Sequence, residues 1–239
     1  MEADRFFGEV TPPDLPLVRF YTWDRPTISL GCNQNPVRRI ELESCRQDGV
    51  PVVQRPTGGR ELLHGHDLCY CVAIPNKNPV NAVEAKSVFE DITDVLVSAL
   101  DEMGIAAEGK SLDNRPRTAV GPCFAQVDAG EITVKGKKLV ASAQRVFRYC
   151  VIQQGSIPLF RAAIDLTDYL RLTNKEALRK ALDSNTAYLN EHLEEKHSLE
   201  LIIAIFRKTF TNSFSGQAGP AEELLENFKG NNYKALWYC

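Results

Sequence analysis

VPVVQRPTGGRELLHGHDLCYCVAIP, residues 50–75, reads as two strands separated by a glycine-rich turn and a histidine-bearing loop. Val50–Arg55 is rich in β-branched residues and stops at Pro56 and the Gly58-Gly59 pair. Asp67–Pro75 alternates, with Leu68, Tyr70 and Val72 on one face and Cys69 and Cys71 on the other. Upstream, LPLVRFYTW (Leu15–Trp23) and TISLG (Thr27–Gly31) are two further strands flanking a turn at Asp24-Arg25-Pro26. Downstream the period changes. Val88, Phe89, Ile92, Val95, Leu96, Ala99 and Met103 recur at three and four, which predicts an amphipathic helix over Val83–Met103, stopped by Gly104 and packed on the sheet.

Segments near Glu131–Lys135 and Lys137–Tyr149 read as a hairpin turned at Gly136. The last third reads as helical. Ser198 caps a segment with Leu199, Ile202, Ile203, Phe206 and Phe210 on one side, and Pro220 opens a short helix through Phe228. Gly109–Gly130 is a long loop rich in Asp, Asn, Arg, Pro and Gly, of the kind that carries function or moves. There is no repeat and no linker-like tract, so residues 1–239 read as one α/β domain.

Composition narrows the class. With 44% hydrophobic and 25% charged residues, the chain is an ordinary globular one, not collagen-like, coiled-coil or disordered. A net charge of −3 gives no overall pull toward nucleic acid. No run approaches the roughly 18 apolar residues of a membrane span. The opening MEADRFFGEV has no apolar signal region, so the seven cysteines are expected to be reduced thiols in the cytoplasm.

Four groups could carry chemistry. In Arg55-Pro56-Thr57-Gly58-Gly59-Arg60, glycines admit a ligand close to backbone and two arginines suit an anion, although a solvent-exposed turn gives the same pattern. The Gly-Lys-[Ser/Thr] ending of a P-loop is absent. His64, His66, Cys69 and Cys71 invite a zinc reading, but H-x-H and C-x-C are poor matches to zinc spacings and the cysteines fall mid-strand, so no metal is expected. Cys123, in the long loop near Arg115 and Arg117, is a candidate nucleophile, against the commoner inert loop thiol. In Lys135–Gln144, strict alternation puts Lys138, Val140, Ser142 and Gln144 on one face, with Lys138 inside the strand and able to reach an anionic group.

In this order, RFYTW, ISLG-x-NQNP (Ile28–Pro36), RPTGGR (Arg55–Arg60), LLH ending at His64, GKK-x-x-x-SAQ (Gly136–Gln144) and QGSIPL (Gln154–Leu159) resemble the biotin/lipoate protein ligase and transferase family along the whole chain. The resemblance implies a biotin/lipoate-ligase-like domain: a mixed, largely antiparallel sheet flanked by helices, with a helical C-terminal third. It also implies that the chain starts at the family's first helix, with an upstream strand lying outside it. Where ATP-dependent ligases have a third glycine and a Gly-Asn, this chain has Arg60 and Asp67-Leu68. About 80 residues follow Leu159 (239 − 159 = 80), little for the accessory domain many ligases carry. Both features point to the octanoyltransferase branch, whose Cys-Phe step is matched by Cys123-Phe124, 15 residues before Lys138 (138 − 123 = 15).

That branch moves an octanoyl group from acyl carrier protein, through a cysteine thioester, to a lysine of a lipoyl domain such as a glycine-cleavage carrier or a dehydrogenase subunit. The resemblance thus implies Cys123 as nucleophile and Lys138 as holder of the acyl carbonyl. It implies Arg55, Thr57, Gly58, Gly59, Arg60, His64, Ser142, Ala143 and Gln144 around the substrate, and no cofactor. ATP and magnesium enter only under the alternative of a ligase domain, and a third alternative is a non-catalytic binding relative. The sheet face and the Val83–Met103 helix would line an acyl tunnel, and Arg38, Arg39, Arg115 and Arg117 would dock acidic partners. The chain departs from the family at Gly65, Ala125, Ala141 and Gln154, where an aspartate, an acid, a glycine and a histidine are usual.

Overall fold

The computed structural model describes residues 1–9, 16–75, 82–109, 122–125, 130–148 and 150–214. The expected helix at Pro220–Phe228, most of the loop at 109–130, and Arg115 and Arg117 lie outside the described residues. Helices are α1 (Glu2–Glu9), α2 (Pro36–Arg39), α3 (Leu42–Gln47), α4 (Ala82–Glu102), α5 (Lys175–Asn185) and α6 (Leu199–Ser213). Strands are β1 (Leu17–Tyr21), β2 (Thr27–Leu30), β3 (Val52–Gln54), β4 (Leu62–His64), β5 (Asp67–Pro75), β6 (Glu108–Gly109), β7 (Ile132–Val134), β8 (Lys137–Val146) and β9 (Cys150–Pro158).

Two sheets form. The larger has the order β1-β5-β9-β8-β7-β6, and each of its neighbouring pairs is antiparallel. The smaller is β3-β2-β4, with β2 parallel to β3 and antiparallel to β4. The alternation read in residues 67–75 separates two cores. Leu68, Tyr70 and Val72 meet Ile92, Leu96 and Leu100 of α4 and Phe206 and Phe210 of α6. Cys69, Cys71 and Ala73 face the other way, toward Tyr21 and Phe7 of α1.

The α6 cap forms as read, with the Ser198 side chain accepting from the Leu201 N–H. Phe20 stacks on Phe206 with ring centroids 5.7 Å apart, which fastens α6 to β1. Gly155 of β9 lies between Tyr70 and Ser142 in register, and a Cβ there would overlap the Tyr70 ring. The missing side chain lets the Tyr70 hydroxyl cross β9 and meet Ser142 Oγ at 2.7 Å. The mixed, largely antiparallel architecture with helices on both sides is thus present. The chain divides its strands between two sheets, and β4 and β9, both short of a distinct strand signature, complete them.

Candidate active site

A β-bulge repositions the lysine strand. Thr133 pairs with Lys138 while Ile132 pairs with Val140, so Leu139 is the extra residue. Leu139 and Val140 therefore both enter the α4–α6 core. The expected face of Lys138, Val140, Ser142 and Gln144 is broken. Lys138 instead shares its side with Ala141, which packs with Leu62, Phe124 and Cys123. Ser142 turns to Tyr70, and Gln144 pairs in register with Gln153, whose amide donates to the Tyr70 hydroxyl. Gln144 is not among the residues lining the cavity described below.

Lys138 is fully buried. Its Nζ donates to the main-chain carbonyl of Cys123 and pairs with Glu131 Oε1 at 2.5 Å. Cys123 opens a single 3₁₀ turn, Cys123–Ala125, fixed from three sides. Its N–H donates to the Glu61 carbonyl at 3.2 Å, Asn185 of α5 donates to the Ala125 carbonyl at 2.7 Å, and Lys138 holds Cys123 itself. Burial pushes the Cys123 thiol up; the Lys138, Arg55 and Arg60 charges pull it down while Glu131 adds to the rise, and the net shift is upward.

The half-buried thiol borders a cavity of about 310 Å³. Arg55, Gly59, Arg60, His64, Ala143 and Ser142 also border it, so six of the nine residues expected around a substrate reach this space. Thr57, Gly58 and Gln144 do not border it. Of α4, only Phe89 among the described residues reaches the cavity, because the rest of the helix packs on the opposite sheet face. Among the described residues the helix thus gives the cavity one side chain, and Gly59, Arg60, and Leu62 and His64 of β4 line it as well.

Arg55 builds that loop. Buried, it donates to the Ser29 carbonyl (3.1 Å) and Oγ (2.8 Å), and to the Gly58 (3.0 Å) and Arg60 (2.7 Å) carbonyls. Its guanidinium is spent on three carbonyls and one hydroxyl, and burial holds its pKa below the usual value. Gly59 has φ +93°, open to glycine, and its carbonyl lies so close to Gly31 that a Cβ on Gly31 would overlap it. That approach explains the glycine ending the ISLG segment. Thr57 is tied across the cavity, donating to Gln154 Oε1 at 2.8 Å, while Gln154 Nε2 donates to Asp4 Oδ2 at 2.6 Å. Asp4 also takes Arg19 at 2.5 Å, so Gln154 links α1 to the loop.

A second relay runs through His64. Its Nε2 is 2.7 Å from Ser29 Oγ and its Nδ1 2.7 Å from Asp67 Oδ2, and Trp23 stacks on its ring at 4.7 Å. The ionised Asp67 carboxylate can only accept, which assigns a His64 proton to Nδ1 and leaves the Ser29 hydroxyl able to donate to Nε2. Asp67 further accepts from Ser156 Oγ (2.6 Å), Cys69 Sγ (3.2 Å) and the Gly65 N–H (3.1 Å). Burial pushes its carboxyl up, but the charge and hydrogen bond of His64, the His66 charge and the Ser156 hydrogen bond outweigh that and hold it far below the ordinary range. The donor atoms of His64, Asp67 and Cys69 lie within 4.8 Å of one another. Each also takes part in a hydrogen bond within the set, and burial pushes the Cys69 thiol well above its usual pKa.

Sequence reasoning missed Asp67, Glu131, Glu61 and Ser29. Asp67, three residues after His64 across a Gly65 turn, carried a local signal; the others are joined to the site only by the fold. Of the expected docking arginines, Arg38 is exposed, whereas the Arg39 guanidinium is bound to the buried Glu61 carboxylate.

The lipoyl protein ligase A/B catalytic domain model matches residues 2–211. The chain belongs to this family. An octanoyltransferase LipM of Lysinibacillus sphaericus is 29% identical over 225 residues, covering 88% of this chain and 81% of that protein. One of Moorella thermoacetica is 32% identical over 207 residues, covering 86% and 74%. Among solved structures, a bipartite lipoate protein ligase from Thermoplasma acidophilum, studied with its E2 lipoyl domain, aligns with a TM-score of 0.71 at 17% identity over 95% of this chain and 82% of that one. This likeness shares the fold. No helix of the described residues is long and apolar enough to cross a membrane.

Proposed function

We propose that this protein is an octanoyltransferase: it takes an octanoyl group from acyl carrier protein onto Cys123 and passes it to a lysine of a lipoyl domain. The observation that carries the mechanism is the joining of Cys123 to the buried Lys138 beside a cavity floored by small residues. The relatives named octanoyltransferase LipM support the reaction class.

In the first step the Cys123 sulfur, as thiolate, attacks the thioester carbonyl carbon. Its new C–S bond replaces the carrier's, and the carrier sulfur leaves as a thiolate that takes up the proton Cys123 gave up on ionising. In the second, the neutral lysine amine attacks that carbon, the Cys123 C–S bond breaks, and amide and thiol result. A thioester is higher in energy than an amide, so neither ATP nor a metal is needed. Lys138 supplies positive charge where the thiolate and the oxyanion develop. Arg55 and Thr57 hold the loop that lets Gly58, Gly59 and Arg60 close the acyl site. His64 braces it from beside the cavity, and Ser142 and Ala143 lie along its wall. Gln144 faces away from the cavity and acts, in this reading, through Gln153 and Tyr70. The donor is an acyl carrier protein and the acceptor a lipoyl domain, both in the cytoplasm. The free thiols of the described cysteines suit a reducing compartment.

The test is intact mass after incubation with octanoyl-acyl carrier protein, then addition of lipoyl domain. The expected result is a gain of one octanoyl group on the enzyme, absent from Cys123→Ala, that moves to the domain without ATP. Lipoyl-domain modification that requires ATP and survives Cys123→Ala overturns the proposal in favour of a ligase.

A further inference from the structure

The cavity beside Cys123 is floored by one cross-strand row. In register, Ala141 of β8 opposes Ser156 of β9, Ser156 opposes Cys69 of β5, and Cys69 opposes Tyr21 of β1. All four residues border the cavity. The row is three small side chains and then a large ring. Cys123 packs at the Ala141 end, so a chain held on its sulfur and lying along the row runs toward Tyr21.

The lengths match. Strands are spaced about 4.8 Å apart, so Cys69 lies about 10 Å and Tyr21 about 14 Å from Ala141. An extended eight-carbon acyl chain spans about 9 Å from its carbonyl carbon at carbon–carbon bond lengths near 1.5 Å. Its terminal methyl therefore falls over Cys69, against the Tyr21 ring. That ring is clamped: the Arg19 guanidinium lies 3.9 Å from its centroid, its hydroxyl donates to Asp4 at 3.3 Å, and Trp23 packs 6.1 Å away. Met1 also borders the cavity, but an unbranched thioether can move aside where a clamped ring cannot.

We propose that Tyr21 is the chain-length stop of the acyl site, ending a groove that fits straight saturated acyl chains of about eight carbons. The proposal rests on the reading that Cys123 carries the acyl group, and its test separates the two. Hexanoate, octanoate, decanoate and dodecanoate are titrated calorimetrically into the wild type, Tyr21→Leu and Tyr21→Phe. In parallel, the matching acyl-carrier thioesters are offered and the Cys123 adduct is read by mass. Wild-type affinity should rise to octanoate and fall at decanoate. Tyr21→Leu should move the break to decanoate, with a gain of about tenfold for that acid from the two further methylenes buried. Tyr21→Phe, which keeps the ring and loses only the bond to Asp4, should leave the break in place. Should Tyr21→Leu fail to fold, Tyr21→Met takes its place with the same expectation. Wild type binding dodecanoate as tightly as octanoate, or a break that does not move in the variant, overturns the stop. Adducts on Cys123 with an unmoved length profile refute the stop and keep the transferase. A shifted binding break with no adduct from any thioester does the reverse.

Discussion

Lys138 donates its ammonium proton to the carbonyl of Cys123, the residue whose sulfur borders the cavity, and Glu131 balances the lysine at 2.5 Å. The lysine therefore fixes the peptide that carries the thiol as well as placing charge beside it. Lys138→Met keeps the length and removes both effects. Acylation by octanoyl-acyl carrier protein should fall by about 10²–10³-fold, the usual cost of losing one oxyanion donor. The thiol pKa should rise, read as a shift of Cys123 alkylation by iodoacetamide to higher pH. An unmoved alkylation profile would remove Lys138 from the ionisation argument.

The wild-type pH profile follows from the direction of the same shift. Burial outweighs Lys138, Arg55 and Arg60, so the Cys123 thiol ionises above its ordinary value. The rate of Cys123 acylation should therefore climb with pH through neutrality and keep climbing past about 8.5, the free thiol value. A plateau reached by about pH 7 would mean a stabilised thiolate and contradict this assignment.

Gln154 joins Thr57 to Asp4 because a side-chain amide accepts at one atom and donates from another. Gln154→Ala leaves the Thr57 hydroxyl buried without its acceptor and should lower stability by about 1–3 kcal/mol. Because the glycine loop loses its tie across the cavity, the KM for the acyl donor should rise more than kcat falls. Urea unfolding and initial rates measure the two effects. Equal stability and unchanged KM would show the link to be incidental.

What the residue pattern disclosed, and what it hid, divides along sequence distance. Alternation in Asp67–Pro75, the three-four period of α4 and the Ser198 cap are local signals, and each formed as read. The expectation that Lys138 shares a face with Ser142 failed because the bulge at Leu139 shifts the parity, and nothing in KKLVAS announces an extra residue. Arg55 reads as an anion binder when its partners, the Ser29 side chain and the carbonyls of Ser29, Gly58 and Arg60, are invisible. The grouping of Cys123 with Lys138 came from the family resemblance. Glu61 and Glu131, which hold that pair in place, meet it only when β4, β7 and β8 assemble.

Asp67 carries the His64 relay, and its depressed carboxyl makes a statement about acid stability. A carboxylate with a lowered folded pKa contributes stability that is present in full above its unfolded value, about 3.9, and is lost as pH falls from there toward the folded value. Asp67→Ala removes the acceptor of His64, Ser156 and Cys69 together and should cost about 3 kcal/mol at neutral pH. Urea unfolding of both proteins should give a constant difference between about pH 5 and pH 7 that narrows only below about pH 4. A difference already shrinking above pH 5 would deny Asp67 that role.

Glu61 connects the outer surface to Cys123, the proposed nucleophile. Its buried carboxylate takes Arg39 and Gln34, and its carbonyl takes the Cys123 N–H at 3.2 Å. Arg39→Ala leaves a buried carboxylate with the Gln34 amide alone and should cost about 2 kcal/mol while loosening the Cys123 turn. Its effect should appear as lower kcat and lower stability. Arg38 is exposed on the same helix, so Arg38→Ala should leave stability unchanged. If the acidic carrier docks there, this variant should raise the donor KM by an amount that shrinks as salt rises. Two variants with matching KM effects and wild-type stability would place Arg39 in the docking surface and refute its role as the partner of Glu61.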